Sequence, residues 1–206
     1  MLESKFLKSS NKIFRSREKE LACKQKGKKI VNEIVIVDDI LQNGLRIAEQ
    51  LKNWIVQEHL ENNIAVRQIL LFNSEDLNRE IYKNKIAELS LHVESICLWN
   101  FDEKLDSYMA DVEKHTIFLI DYLLREDGSD GIPAYRVNIR YAKRQNEERK
   151  KKLFFYTLTG TENFKLLCDL VGTEHVIPSK YENGKLPSLD LQHNSKLLNE
   201  IKNISI

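Results

Sequence analysis

Cysteine, proline and glycine are scarce in this chain of 206 residues, which holds only three, three and seven of them. Cys23, Cys97 and Cys168 are odd in number, widely spaced and partly set in apolar patterns. That excludes a disulfide framework or a closed zinc site and fits the reduced thiols of a cytoplasmic protein. The small glycine and proline content excludes collagenous or low-complexity architecture. Long apolar runs are also missing. None approaches the roughly 20 residues needed to cross a bilayer, and lysines and arginines keep interrupting the N-terminus, so it lacks the apolar segment of a secretory signal.

A strong net charge is absent as well, at +1 overall, but the balance is uneven. Residues 1–30 carry ten Lys/Arg against three acidic residues, which leaves 22 basic and 28 acidic residues for the remainder, a net charge of minus six. A single nucleic-acid-binding surface over the whole protein does not follow from this. A basic N-terminal extension, helical or disordered, on a mildly acidic domain of 31–206 does, and that arm could meet nucleic acid or an anionic surface. With 42% hydrophobic and 31% charged residues, the body can bury one ordinary core.

Apolar runs alternate with helical periodicities along that body. Ile30, Val31, Ile34, Val35, Ile36 and Val37 form a β-branched run that stops at Asp38 and Asp39, and a run apolar on both faces reads as a central parallel strand covered by helices on both sides. Leu41, Leu45, Ala48, Leu51 and Ile55 then mark a helix over about 43–58. Val66 to Phe72 reads as a strand, with Ser74 as the cap of a helix facing inward through Leu77, Ile81, Ile86 and Leu89. His92 to Trp99 is a further strand, and Phe101, Leu105, Tyr108 and Val112 line the next helix. Ile117 to Ile120 form the most apolar strand of the middle and end at Asp121.

Beyond a polar loop with Gly128 and Gly131, Pro133 can open a helix to about Ala142. The charged stretch 143–152 reads as a solvated helix end and loop. Leu153 to Tyr156 make a strand ending at Thr157, Phe164 to Val171 a short helix stopped by Gly172, and Val176 to Lys180 the last strand. Leu197, Leu198, Ile201 and Ile204 mark the final helix. This alternation predicts an α/β domain with a doubly wound parallel sheet.

In such sheets the ligand crevice lies at the C-terminal strand ends, where the strand order reverses. Asp38, Asp39, Asp121, Thr157 and Lys180 all fall at that end on this reading. Crowded carboxylates raise one another's pKa unless a cation neutralises them. Hard oxygen donors suit Mg²⁺, or Mn²⁺, which commonly shares one or two protein carboxylates with phosphate oxygens. A carboxylate can act as nucleophile toward phosphorus, with a hydroxyl and a lysine as further donors to the phosphoryl oxygens.

The order Val-Asp-Asp at 37–39, Asp121 followed by Gly131, Thr157 after an apolar strand and Lys180 after the last strand resembles the receiver domain of two-component response regulators, over roughly 33–204. The resemblance implies a flavodoxin-like receiver fold and a phosphoacceptor module of a phosphorelay, with Asp121 as the acceptor. It implies Asp38, Asp39, Asp121 and the backbone carbonyl of Leu123 around Mg²⁺, Thr157 and Lys180 on the phosphoryl group, and Ile177 at the switch position. Its implied partners are a sensor histidine kinase or phosphotransfer protein upstream and a protein target downstream. The implied activity is Mg²⁺-dependent self-phosphorylation from a phosphodonor with slow self-dephosphorylation, not metabolic catalysis.

The chain departs from the pattern at three places. Tyr181 stands where proline usually follows the lysine, Ile177 replaces the usual switch aromatic, and the stretch from Asp39 to Asp121 is about twice as long as a compact receiver uses. An inserted strand-helix segment accommodates the excess. Either Val66 to Phe72 or His92 to Trp99 is the ordinary second strand; the latter is favoured because the helix at 101–114 then leads directly into the Asp121 strand, which makes about 60–90 the insertion. Too little chain follows the last helix for a DNA-binding helix-turn-helix, so output is expected through protein contacts or the basic arm.

Two other classes stay in view. A phosphorylation-independent pseudo-receiver would serve as an interaction or scaffold protein. An aspartyl-phosphate phosphatase of the haloacid dehalogenase type needs a second aspartate two residues past its nucleophile, where Ile40 and Leu41 follow Asp38 and Asp39. A Rossmann or P-loop nucleotide site lacks its glycine-rich turn after the first strand. His59, His92, His115, His175 and His193 show no metal-binding spacing, and Trp54 and Trp99 read as packing residues.

Overall fold

The structure is a computed structural model and describes residues 31–71, 76–96, 101–110, 114–122, 124, 151–158, 162–182, 186–191 and 194–205. The expected basic arm, the Ser74 cap, the 128–131 loop, the Pro133 helix, most of the charged stretch and Leu123 lie outside these residues. Val31–Ile206 form one unit.

Its strands are β1 (Asn32–Asp38), β2 (Ile64–Leu71), β3 (His92–Ile96), β4 (Thr116–Asp121), β5 (Lys151–Leu158), β6 (Val176–Glu182) and β7 (Leu186–Leu189). They form one sheet in the order β3-β2-β1-β4-β5-β6-β7, parallel throughout except for the antiparallel pair β6 and β7. The helices are α1 (Leu41–Gln57), α2 (Glu80–Glu88), α3 (Phe101–Ala110), α4 (Glu162–Val171) and α5 (Ser195–Asn203), with short 3₁₀ turns at Asp76–Asn78 and Thr173–His175.

β1 and β4 are buried along nearly their whole length because they are central. Each carries apolar residues on both faces, and helices cover both. On one face Ile34, Ile36, Ile117, Leu119, Phe154 and Ile177 pack with Leu45, Ala48 and Leu51 of α1 and Leu197 and Ile201 of α5. On the other, Val35, Val37, Phe118, Ile120 and Phe155 pack with Leu105 of α3 and Leu167 of α4. Two apolar layers thus hold the sheet from opposite sides, and each buried Leu, Ile or Phe side chain contributes about 1.5–3 kcal/mol.

The strand beside β1 is β2, so the preference for His92 to Trp99 in that position is corrected. β3 takes the edge instead, where its polar His92 and Glu94 are tolerated. Ile81 faces solvent at 72% exposure, and Tyr82 of the same helix packs against the core in its place. The strand through Lys180 is not the last, because the chain turns back through β7, whose Leu189 N–H donates to Gln50 Oε1 of α1 at 3.0 Å.

The start of α1 is fixed by two close fits. Ile40 at the N-cap has no capping side chain. In its place the Ile40 N–H donates to Asp38 Oδ1 at 2.8 Å, an Asx-type turn that sends the chain from strand into helix. One turn on, Gln68 of β2 is fully buried beneath the helix and its Nε2 reaches the Leu41 carbonyl at 3.4 Å. A Cβ on Gly44 would stand 1.9 Å from Gln68 Nε2, so any larger residue there requires the buried amide to shift.

Candidate metal and phosphoacceptor site

β2 and β3 lie to one side of β1, and β4 to β6 lie to the other. The strand order therefore reverses between β1 and β4, and the crevice of such a sheet opens at their carboxyl ends. Asp38 closes β1 with Asp39 immediately beyond it, and Asp121 closes β4. Their pairing follows from the register, in which Val37 stands opposite Ile120 and Asp121 opposite Tyr156. Past Asp121 the Tyr122 N–H donates to the Tyr156 carbonyl at 3.0 Å, so the strand end is held to β5.

One carboxylate oxygen from each of Asp38, Asp39 and Asp121 lies within 4.8 Å of the other two. Asp38 is fully buried, whereas Asp39 and Asp121 are partly accessible. Burial pushes the Asp38 carboxyl up to about 8. Hydrogen bonds from Tyr156 and Ile40 oppose that rise, and the neighbouring Asp39 adds to it. The donor set is all hard oxygen, drawn from two adjacent strand ends, and its innermost member is driven toward the protonated form by desolvation and like charge. Those features fit a small divalent cation, which would relieve both stresses.

Thr157 follows Tyr156 on β5, opposite Pro178 of β6, and is 6% exposed. Ile177 is fully buried within the core layer shared with Tyr156. Lys180 lies farther along β6 than Ile177, the residue level with Tyr156 and hence with Asp121. Its side chain is 63% exposed and its Nζ stands 3.6 Å from Asp190 Oδ2. The structure thus brings the three aspartates together, seats Thr157 one step beyond them and turns the Lys180 ammonium toward Asp190.

Sequence reasoning missed Tyr156, which had served only as an apolar strand residue. Its hydroxyl donates to Asp38 Oδ2 at 2.5 Å. Burial raises its phenol well above the usual range, reinforced by the charges of Asp38 and Asp121, so it remains a protonated donor. Strand alternation places Tyr156 on the same face as Asp121, but only the register makes that placement visible.

The chain matches no protein-family model, no curated protein and no solved structure. The chemistry of the site therefore rests on its own residues.

Proposed function

We propose that this protein is a receiver-like phosphoacceptor module, in which Asp121 accepts a phosphoryl group beside a divalent cation held by Asp38, Asp39 and Asp121. The observation that carries this reading is the convergence of the three carboxylates at the point where the strand order reverses. Supporting it are Thr157 at the adjacent strand end and the partial exposure of Asp121, which leaves a donor room to approach.

An Asp121 oxygen attacks phosphorus and forms the new O–P bond, while the bond to the donor's leaving group breaks and its electron pair departs with that group. When bound, the cation supplies positive charge against the phosphoryl oxygens and the crowded carboxylates. The Thr157 hydroxyl donates to a phosphoryl oxygen. Lys180, whose ammonium stands beside Asp190, turns toward the new negative charge, and that shift is the natural element of a two-state response. By the same resemblance the donor is a phosphohistidine on a kinase or phosphotransfer protein, and the fold is of the flavodoxin-like receiver type with two additional strands, β3 and β7, at the sheet edges.

A second reading, a phosphorylation-independent interaction module, is favoured by the same Lys180–Asp190 pair, since it occupies the lysine in the absence of any phosphate. Incubation with Mg²⁺ and a small acyl phosphate separates the two. The first reading requires labelling that disappears in Asp121→Asn, and the second requires none.

A further inference from the structure

We infer that Tyr156 is the positioning residue of the acidic site, its hydroxyl and the Ile40 amide clamping the two oxygens of Asp38 in the orientation in which that carboxylate faces a cation. The inference rests on the proposed cation site and assigns it a residue that the receiver resemblance does not include.

The geometry is specific. β1 and β5 are separated by β4, a gap of roughly 10 Å between strand axes, yet the Tyr156 side chain crosses above the end of β4 to reach Asp38. A buried phenol needs a hydrogen-bond partner, and two acceptors are near. Val37 O at 3.4 Å is beyond the normal O–H···O range, whereas Asp38 Oδ2 at 2.5 Å is at its short end, so the hydroxyl hydrogen belongs to Asp38. With Ile40 N–H on Oδ1, each oxygen of the carboxylate has its own donor, and its rotation is blocked. Each oxygen also keeps acceptor capacity, because a carboxylate offers about four lone-pair sites. Partners of this kind orient metal ligands and govern their affinity.

Titration of the 206-residue chain and its Tyr156→Phe variant with Mg²⁺ alone, followed by calorimetry, tests the assignment. The expected result is a weakening of about 10–100-fold in the variant. In an Asp38→Asn background the same change should produce no further loss, because the residue through which Tyr156 acts is already disabled. Equal Mg²⁺ affinity in the native chain and Tyr156→Phe, with binding reduced by Asp38→Asn, overturns the inference and leaves the cation site standing. A native chain that does not bind Mg²⁺ overturns both. If Tyr156→Phe does not fold, the native chain decides. Mg²⁺ should then perturb the near-ultraviolet absorption of a buried tyrosine, an effect absent from Asp38→Asn, and an unperturbed tyrosine spectrum contradicts the assignment.

Discussion

Asp38 and Asp121 end adjacent parallel strands one step beyond the Val37–Ile120 pair, although two further strands and three helices lie between them in the chain. That adjacency turns two ordinary strand-end aspartates into one electrostatic unit. It also explains why the long stretch from Asp39 to Asp121 does not separate them: the chain uses it to build β2 and β3 on the far side of β1.

The burial of Asp38 predicts an inverse dependence of stability on pH in the cation-free protein. Its folded pKa of about 8 lies above the ordinary value of 3.8, so the folded state holds the proton more tightly than the unfolded chain. The resulting stability is fully present below the unfolded value and is lost as pH rises through the folded one. Urea midpoints of native protein should therefore fall between pH 5 and about 8.5 relative to Asp38→Asn, and saturating Mg²⁺ should reduce the difference. Parallel pH profiles for the two proteins would contradict the buried-carboxyl account.

Gly44 tests the seating of α1. Alanine improves helix propensity by up to about 1 kcal/mol, but its Cβ would collide with the buried Gln68 amide, and such overpacking costs about 1–3 kcal/mol. Gly44→Ala should destabilise the protein by about 1 kcal/mol in chemical denaturation. In a Gln68→Ala background it should become neutral or stabilising. Destabilisation of equal size in both backgrounds would mean that Gln68 is not the obstacle.

How much of this was legible in the sequence depended on position in the sheet. β1, β4 and β5 could be read directly because central strands are apolar on both faces, and the aspartates that end β1 and β4 stood out against that background. The order of β2 and β3 was misjudged because chain adjacency of α3 to β4 was weighed above side-chain character. The polar residues His92, Glu94 and Ser95 already marked β3 as an edge strand, whereas β2 offered Ile69, Leu70 and Leu71 in succession. β7 was missed because it is short and holds Pro187, a residue tolerated only where a sheet ends. The role of Tyr156 is a product of register across three strands, which no local pattern records.

His175 predicts the opposite sign at lower pH. Its ring packs on Phe154 at a centroid distance of 5.4 Å, with Nδ1–H donating to the Leu153 carbonyl at 3.0 Å. Burial lowers its pKa from the ordinary 6.5, so the stability it contributes is present above that value and is lost as pH falls through the folded one. NMR titration of the ring should give a midpoint below 6.5, whereas a midpoint at or above 6.5 would contradict the buried placement.

The most direct test of the acidic trio is the intact mass of the protein after incubation with Mg²⁺ and a small acyl phosphate, compared with Asp121→Asn treated identically. The account predicts one added phosphoryl group on the native chain, absent when Mg²⁺ is omitted from the incubation and released by base or hydroxylamine as an acyl phosphate is, and none on the variant. An unmodified native protein, or a variant that still gains the same single group, would contradict it.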